Sequence, residues 1–127
     1  MVTNTKRSGF TLIELLVVLA IVATLLSLVA PRYFKSIDRA KEAALQQNLS
    51  TIRDAIDKFH EDKGRFPGNL EELVSARYLR AIPKDPVTET QNSWIPVAAS
   101  QGDKGGVANV KSGAPGTSLT GVPFAEF

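Results

Sequence analysis

Glu14 is the only ionisable side chain between Phe10 and Ala30, a stretch that reads FTLIELLVVLAIVATLLSLVA. A carboxylate held in hydrocarbon costs roughly 3 kcal/mol even on lenient insertion scales, so it calls for a cationic partner. The stretch contains no Lys, Arg or His to serve. An α-amino group at Phe10 would lie at nearly the depth of Glu14, and it exists only if the chain is cut after Gly9. The chemistry these residues offer is processing followed by charge pairing. Catalytic sets are missing: with one histidine and no cysteine, His60 is the only base for a nucleophile pair. His60 falls beside Glu61 and Asp62 at the polar end of a helical pattern and reads as a surface residue. Gly102, Gly105 and Gly106 match neither a P-loop nor a dinucleotide fingerprint, and a turn explains them.

The elements that must position Glu14 follow from periodicity. About twenty apolar residues form a helix about 30 Å long, enough to cross a bilayer core. A secretory signal peptide has a shorter apolar run and a small-residue cleavage site, and a plain anchor leaves Glu14 unexplained. Lys6 and Arg7 precede the span while Arg32, Lys35, Arg39 and Lys41 follow it, so the positive-inside rule alone favours placing the body in the cytoplasm. Pro31 removes a backbone donor and should kink the helix without ending it. Beyond it Leu45, Leu49, Ile52, Ile56 and Phe59 recur at helical spacing, with Ile37, Ala44 and Ala55 near the same stripe. The opposite face carries Asp38, Arg39, Glu42, Gln46, Arg53, Asp54 and Asp57 and reads as solvated.

Gly64 and Pro67 place the end of this helix near Asp62 or Lys63. Asn69 caps a second, shorter helix running to about Arg77, beneath which Tyr78, Leu79 and Ile82 pack before Pro83. From Val87 onward glycine, proline, serine and threonine dominate. Trp94–Val97, Val107–Val110 and Val122–Phe127 read as short antiparallel strands, joined by turns at 102–106 and 113–121. Trp94, Phe124 and Phe127 are the large fillers between that sheet and the long helix. The fold class is α+β, with room for one small domain outside the membrane.

The run Lys6-Arg7-Ser8-Gly9-Phe10-Thr11-Leu12-Ile13-Glu14 resembles the class III leader and N-terminus of type IV pilins and of type II secretion pseudopilins. A second stretch, Gly64 to Pro86, is similar to the region after the long helix in major, G-type pseudopilins. It departs where that family commonly follows Asp-Pro with Trp-Gly, since Val87-Thr88 stand here. Many type IV pilins close a C-terminal loop with a disulfide; the absence of cysteine tilts the resemblance toward the pseudopilins.

The resemblance implies a type IV pilin-like fold, a leader at 1–9, a membrane or filament-core helix at 10–30 and a periplasmic domain at 31–127. Within that domain an amphipathic helix covers 31–63, a short helix and loops 64–91, and the sheet 92–127. It implies cleavage after Gly9 and N-methylation of Phe10 by a prepilin peptidase/methyltransferase. Assembly roles fall to Phe10, Glu14 and Pro31 in an inner-membrane homopolymer that works with minor pseudopilins and an assembly platform. Such a periplasmic pseudopilus drives protein export. Two rivals stand beside it: a subunit of a surface type IV pilus, and a membrane-tethered binding module that never polymerises. No enzymatic role is expected. Removing Lys6 and Arg7 leaves acidic and basic side chains equal in number, which argues against a nucleic-acid surface. Major pseudopilins also hold calcium in their C-terminal loops. After Pro86 the acids are Glu89, Asp103 and Glu126, of which Asp103 is the best candidate, with Ser112 or Ser118 as added oxygens.

Overall fold

The structure, a computed structural model, describes residues 8–100 and 105–127. The described chain falls into two compact units, one ending at Ile37 and one from Asp38 to Phe127. Helix α1, Leu12–Lys63, runs through both, and Pro31 lies inside it. In the first unit every apolar side chain of the span is exposed, from Leu12 at 74% to Val29 at 60%. A helix apolar on all sides has no single face to bury against its own chain.

In the second unit the apolar stripe of α1 becomes a core face. Leu45, Leu49, Ile52, Ala55, Ile56 and Phe59 are buried together with Leu73, Trp94, Val107 and Val110. Ala44, expected near that stripe, is exposed, and Ile37 is only half-buried. α1 ends where expected: Gly64 takes φ 68° and its amide reaches the carbonyl of His60 at 2.9 Å. Only glycine adopts that left-handed cap without steric cost.

Helix α2, Leu70–Ser75, is capped by the Asn69 side chain, which accepts from the Glu72 amide at 2.9 Å. The Glu72 carboxylate reaches back to the Gly68 amide and also pairs with Arg65. The Arg65 guanidinium first, then the Gly68 amide, holds the Glu72 carboxyl below its usual range, and Arg65 is raised in return. α2 stops two residues earlier than its sequence pattern suggests, because Arg77 turns left-handed at φ 65°. The amides of Tyr78 and Leu79 then satisfy the Leu73 carbonyl. Tyr78 packs edge-on to Phe59, and its hydroxyl donates to Asp62 at 2.7 Å, which pushes the phenol above its usual range.

Strands β1, Trp94–Ala98, and β2, Val107–Ser112, pair antiparallel from Trp94↔Ser112 to Ala98↔Val107, with an irregularity at Val97/Ala98. The α+β plan of a long helix on a small antiparallel sheet is what the chain forms. The third expected strand, Val122–Phe127, is a correction: Phe124–Glu126 is a short 3-10 turn, with only an isolated bridge between Thr117 and Pro123. Pro123 has no amide to donate to a ladder, which explains why the ribbon stops at two strands. Phe124 is still a buried filler, set edge-on to Phe127. Gly113 is required by packing, since a Cβ there would come within 2.3 Å of the Ser93 carbonyl oxygen.

Two polar residues read as solvated are not. Arg53 is half-buried and donates to the Asn109 side chain at 2.9 Å, to the Val110 carbonyl at 3.0 Å and to the Phe127 carbonyl at 2.6 Å. His60 stacks flat on Phe66 with ring centroids 4.0 Å apart. Two substitutions test this packing by thermal or urea unfolding. Ile56→Ala empties a fully buried site and should lower stability by about 2–5 kcal/mol. Arg77→Gly relieves a left-handed backbone and should raise stability by about 0.5–1 kcal/mol.

Candidate functional site

The residues expected to be processed stand clear of the fold. Gly9 and Phe10 precede α1, and Phe10 is 90% exposed. Thr11 caps α1: its hydroxyl oxygen accepts from the Glu14 amide at 3.2 Å while its carbonyl accepts from the Leu15 amide at 3.2 Å. Thr-Leu-Ile-Glu has the spacing of a capping box, so the local sequence itself stops the helix short of the Gly9–Phe10 peptide. That peptide is left outside hydrogen-bonded structure, as a protease substrate must be.

Three of the span's polar side chains are satisfied locally. Thr11 caps, Thr24 donates to the Ala20 carbonyl at 2.8 Å, and Ser27 donates to the Thr24 carbonyl at 2.7 Å. Glu14 is the exception: among the described residues its carboxylate makes no hydrogen bond and no ion pair. The helix N-terminus favours an anion there by only about 0.3–1 kcal/mol, well short of the cost of holding it in hydrocarbon. Gly9, Phe10 and Glu14 therefore gather at one end of the helix. Pro31 stands 17 residues beyond Glu14, about 25 Å along the axis, and belongs to no common pocket with it. Lys6 and Arg7 lie outside the described residues.

Among its described residues the C-terminal segment assembles no calcium site. Asp103 lies outside the described residues, while Glu89 and Glu126 are both exposed. No group of three His, Cys, Asp or Glu side chains converges among the described residues. The hydroxyls considered as ligands are already engaged. Ser112 donates to Asp85 at 2.6 Å and accepts from the Ala114 amide at 3.1 Å. Ser118 accepts from the amides of Thr120 and Val122 and bonds the Thr120 hydroxyl at 2.8 Å. Glu42 reaches across from α1 to the Leu119 amide. Closure here is made by hydroxyls, amides and one carboxylate from the helix.

Asp85 is the polar residue that sequence reasoning missed. It is fully buried, and its carboxylate accepts from the Val87 amide at 2.8 Å, the Thr88 amide at 3.3 Å and the Ser112 hydroxyl. Its backbone is also held, to Thr90 and to Glu89. An Asp before Pro at a turn is the signal that marks it. Arg53 carries no such local mark, since its partners lie more than fifty residues away.

Residues 4–30 match the family model described as the prokaryotic N-terminal methylation motif. The type II secretion system core protein G of Klebsiella pneumoniae is 31% identical over 97 residues, covering 64% of this chain and 69% of its own length. That of Pseudomonas aeruginosa is 32% identical over 97 residues, covering 64% and 68%. That of Vibrio cholerae is 28% identical over 126 residues, covering 87% and 83%. No solved structure matches the chain.

Proposed function

From the premise that this chain belongs to the family of the type II secretion system core protein G, the pseudopilins, we propose that it is processed after Gly9, methylated at Phe10 and polymerised into a periplasmic filament that drives protein export. It is anchored by one membrane helix, with residues 1–9 as leader, 10–30 as the span and 31–127 as the body on the periplasmic side. The observation that carries the reading is the unpartnered Glu14 carboxylate at the head of an exposed apolar helix. Cutting after Gly9 removes Lys6 and Arg7 and places a new cation four residues from Glu14. Within one chain that amine sits at the same helix end. Between chains it offers each Glu14 a partner only in a fixed register, so one ion pair both lowers the cost of the carboxylate and sets the stagger of subunits.

The remaining parts fall in behind this register. The apolar span, exposed on all sides in a single chain, is covered either by lipid before assembly or by neighbouring spans after it. Pro31 leaves the Ser27 carbonyl without the amide that would ordinarily bond it, and so supplies a weak point where the helix can unwind in the filament. The processing enzyme, the minor pseudopilins, the inner-membrane assembly platform and the ATPase behind it are the partners this function requires. A subunit of a surface type IV pilus and a tethered module that never polymerises are the alternatives to it.

The test is Glu14→Ala, followed by membrane insertion, leader processing and filament yield. Insertion should persist, since an apolar residue replaces a charge, while filament yield should fall by at least tenfold. Filaments formed at the normal level by Glu14→Ala would remove the register argument, and a native chain that yields no filaments would remove the polymer reading.

A further inference from the structure

The apolar span ends at Ala30, but α1 continues, and its next turn is unlike the rest of the helix. Arg32, Tyr33, Phe34 and Lys35 follow Pro31 directly. Tyr33 and Phe34 are 62% and 63% exposed, their rings edge-on with centroids 6.0 Å apart. Arg32 and Lys35 are three residues apart, hence on one side of the helix, and both are exposed. Neither has an ion-pair partner among the described residues. All four are exposed.

Their depth is set by the span. At 1.5 Å per residue they stand about 3–8 Å past Ala30 along the axis. A bilayer core of about 30 Å with headgroups to about 40–45 Å leaves a polar zone about 5–8 Å thick on each side. The four side chains therefore fall in that zone, where aromatic rings with a polar edge settle and where long cationic side chains reach phosphate.

We propose that Arg32 and Lys35, flanked by Tyr33 and Phe34, form a collar that binds the phosphodiester headgroups of anionic phospholipid in the leaflet facing the folded domain. The collar fixes how deep the span rides, and thereby holds Glu14 one turn inside the opposite edge of the hydrocarbon. It also accounts for cations on a flank where the positive-inside rule does not want them: they are held by lipid charge there. The inference rests on the chain being membrane-anchored and not on its polymerising.

The experiment uses the full chain reconstituted in phosphatidylcholine vesicles doped with spin-labelled phosphatidylglycerol or phosphatidylcholine, with boundary selectivity read by electron spin resonance. Each cation beside an anionic surface favours it about five-fold, so the native chain should select phosphatidylglycerol several-fold at low salt and lose that preference at high salt. Arg32→Gln with Lys35→Gln should lower the ratio several-fold, leaving only what Lys6 and Arg7 contribute at the other face, whereas Arg32→Lys should keep it. Equal selection of both lipids by the native chain, or undiminished selection in the double variant, would overturn the collar. Undiminished selection with lost self-association would assign the two cations to a second copy of the chain instead. Failure of the native chain to float with the vesicles would overturn the membrane span itself, a result distinguishable from loss of selectivity alone.

Discussion

A carboxylate in an apolar helix, with no cationic partner among the described residues, is the constraint on which the rest of this protein turns. The local sequence does what it can for Glu14: Thr11 caps its amide and the helix N-terminus favours its charge. The helix terminus recovers at most about a third of the roughly 3 kcal/mol that hydrocarbon exacts. The other polar side chains of the span close on their own backbone, so the deficit is concentrated in one group. A chain that keeps such a group must supply the missing charge by changing its own covalent structure or by meeting another chain. The proposed cleavage after Gly9 would do the first and make the second possible.

The two halves of α1 solve opposite problems. From Leu12 to Val29 the helix is apolar all round and leaves its burial to whatever surrounds it. From Leu45 to Phe59 it is amphipathic and completes its burial within the chain, against a two-stranded ribbon, α2 and Phe124. A ribbon of two strands is marginal by itself. Here it is tied to the helix by Arg53, which spans Asn109, Val110 and Phe127, and to the preceding loop by Asp85, which meets Ser112. Burial of charge at both places is compensated by several hydrogen bonds each, as a small core with no disulfide requires.

Much of this was legible from residue order because the signals are local. Glu14 is conspicuous by type, the Leu45 to Phe59 stripe by period, the end of α1 by Gly64, and the start of α2 by Asn69. What was not legible depends on contacts between distant residues. Helical period puts Arg53 on the polar side and says nothing about a long side chain curling toward a strand. His60 beside two acids reads as wet, yet Phe66 arrives from the following turn to stack on it. Val122–Phe127 has the composition of a strand, but Gly121 and Pro123 deny it a continuous ladder, and its aromatic residues fill the core from a turn. Asp85 shows the intermediate case: its Asp-Pro context announces a turn, while its burial and its bond to Ser112, 27 residues away, appear only when the sheet is in place.

The most direct test of the central claim is the intact mass of the protein isolated from its native membrane. A chain that begins at Phe10 and carries one added methyl group is the predicted result, because only that species has a cation beside Glu14 at the head of the span. A chain retaining Met1, or one cut near Ala30, would contradict the account, since Glu14 would then be either unpartnered in the mature protein or discarded with a signal sequence.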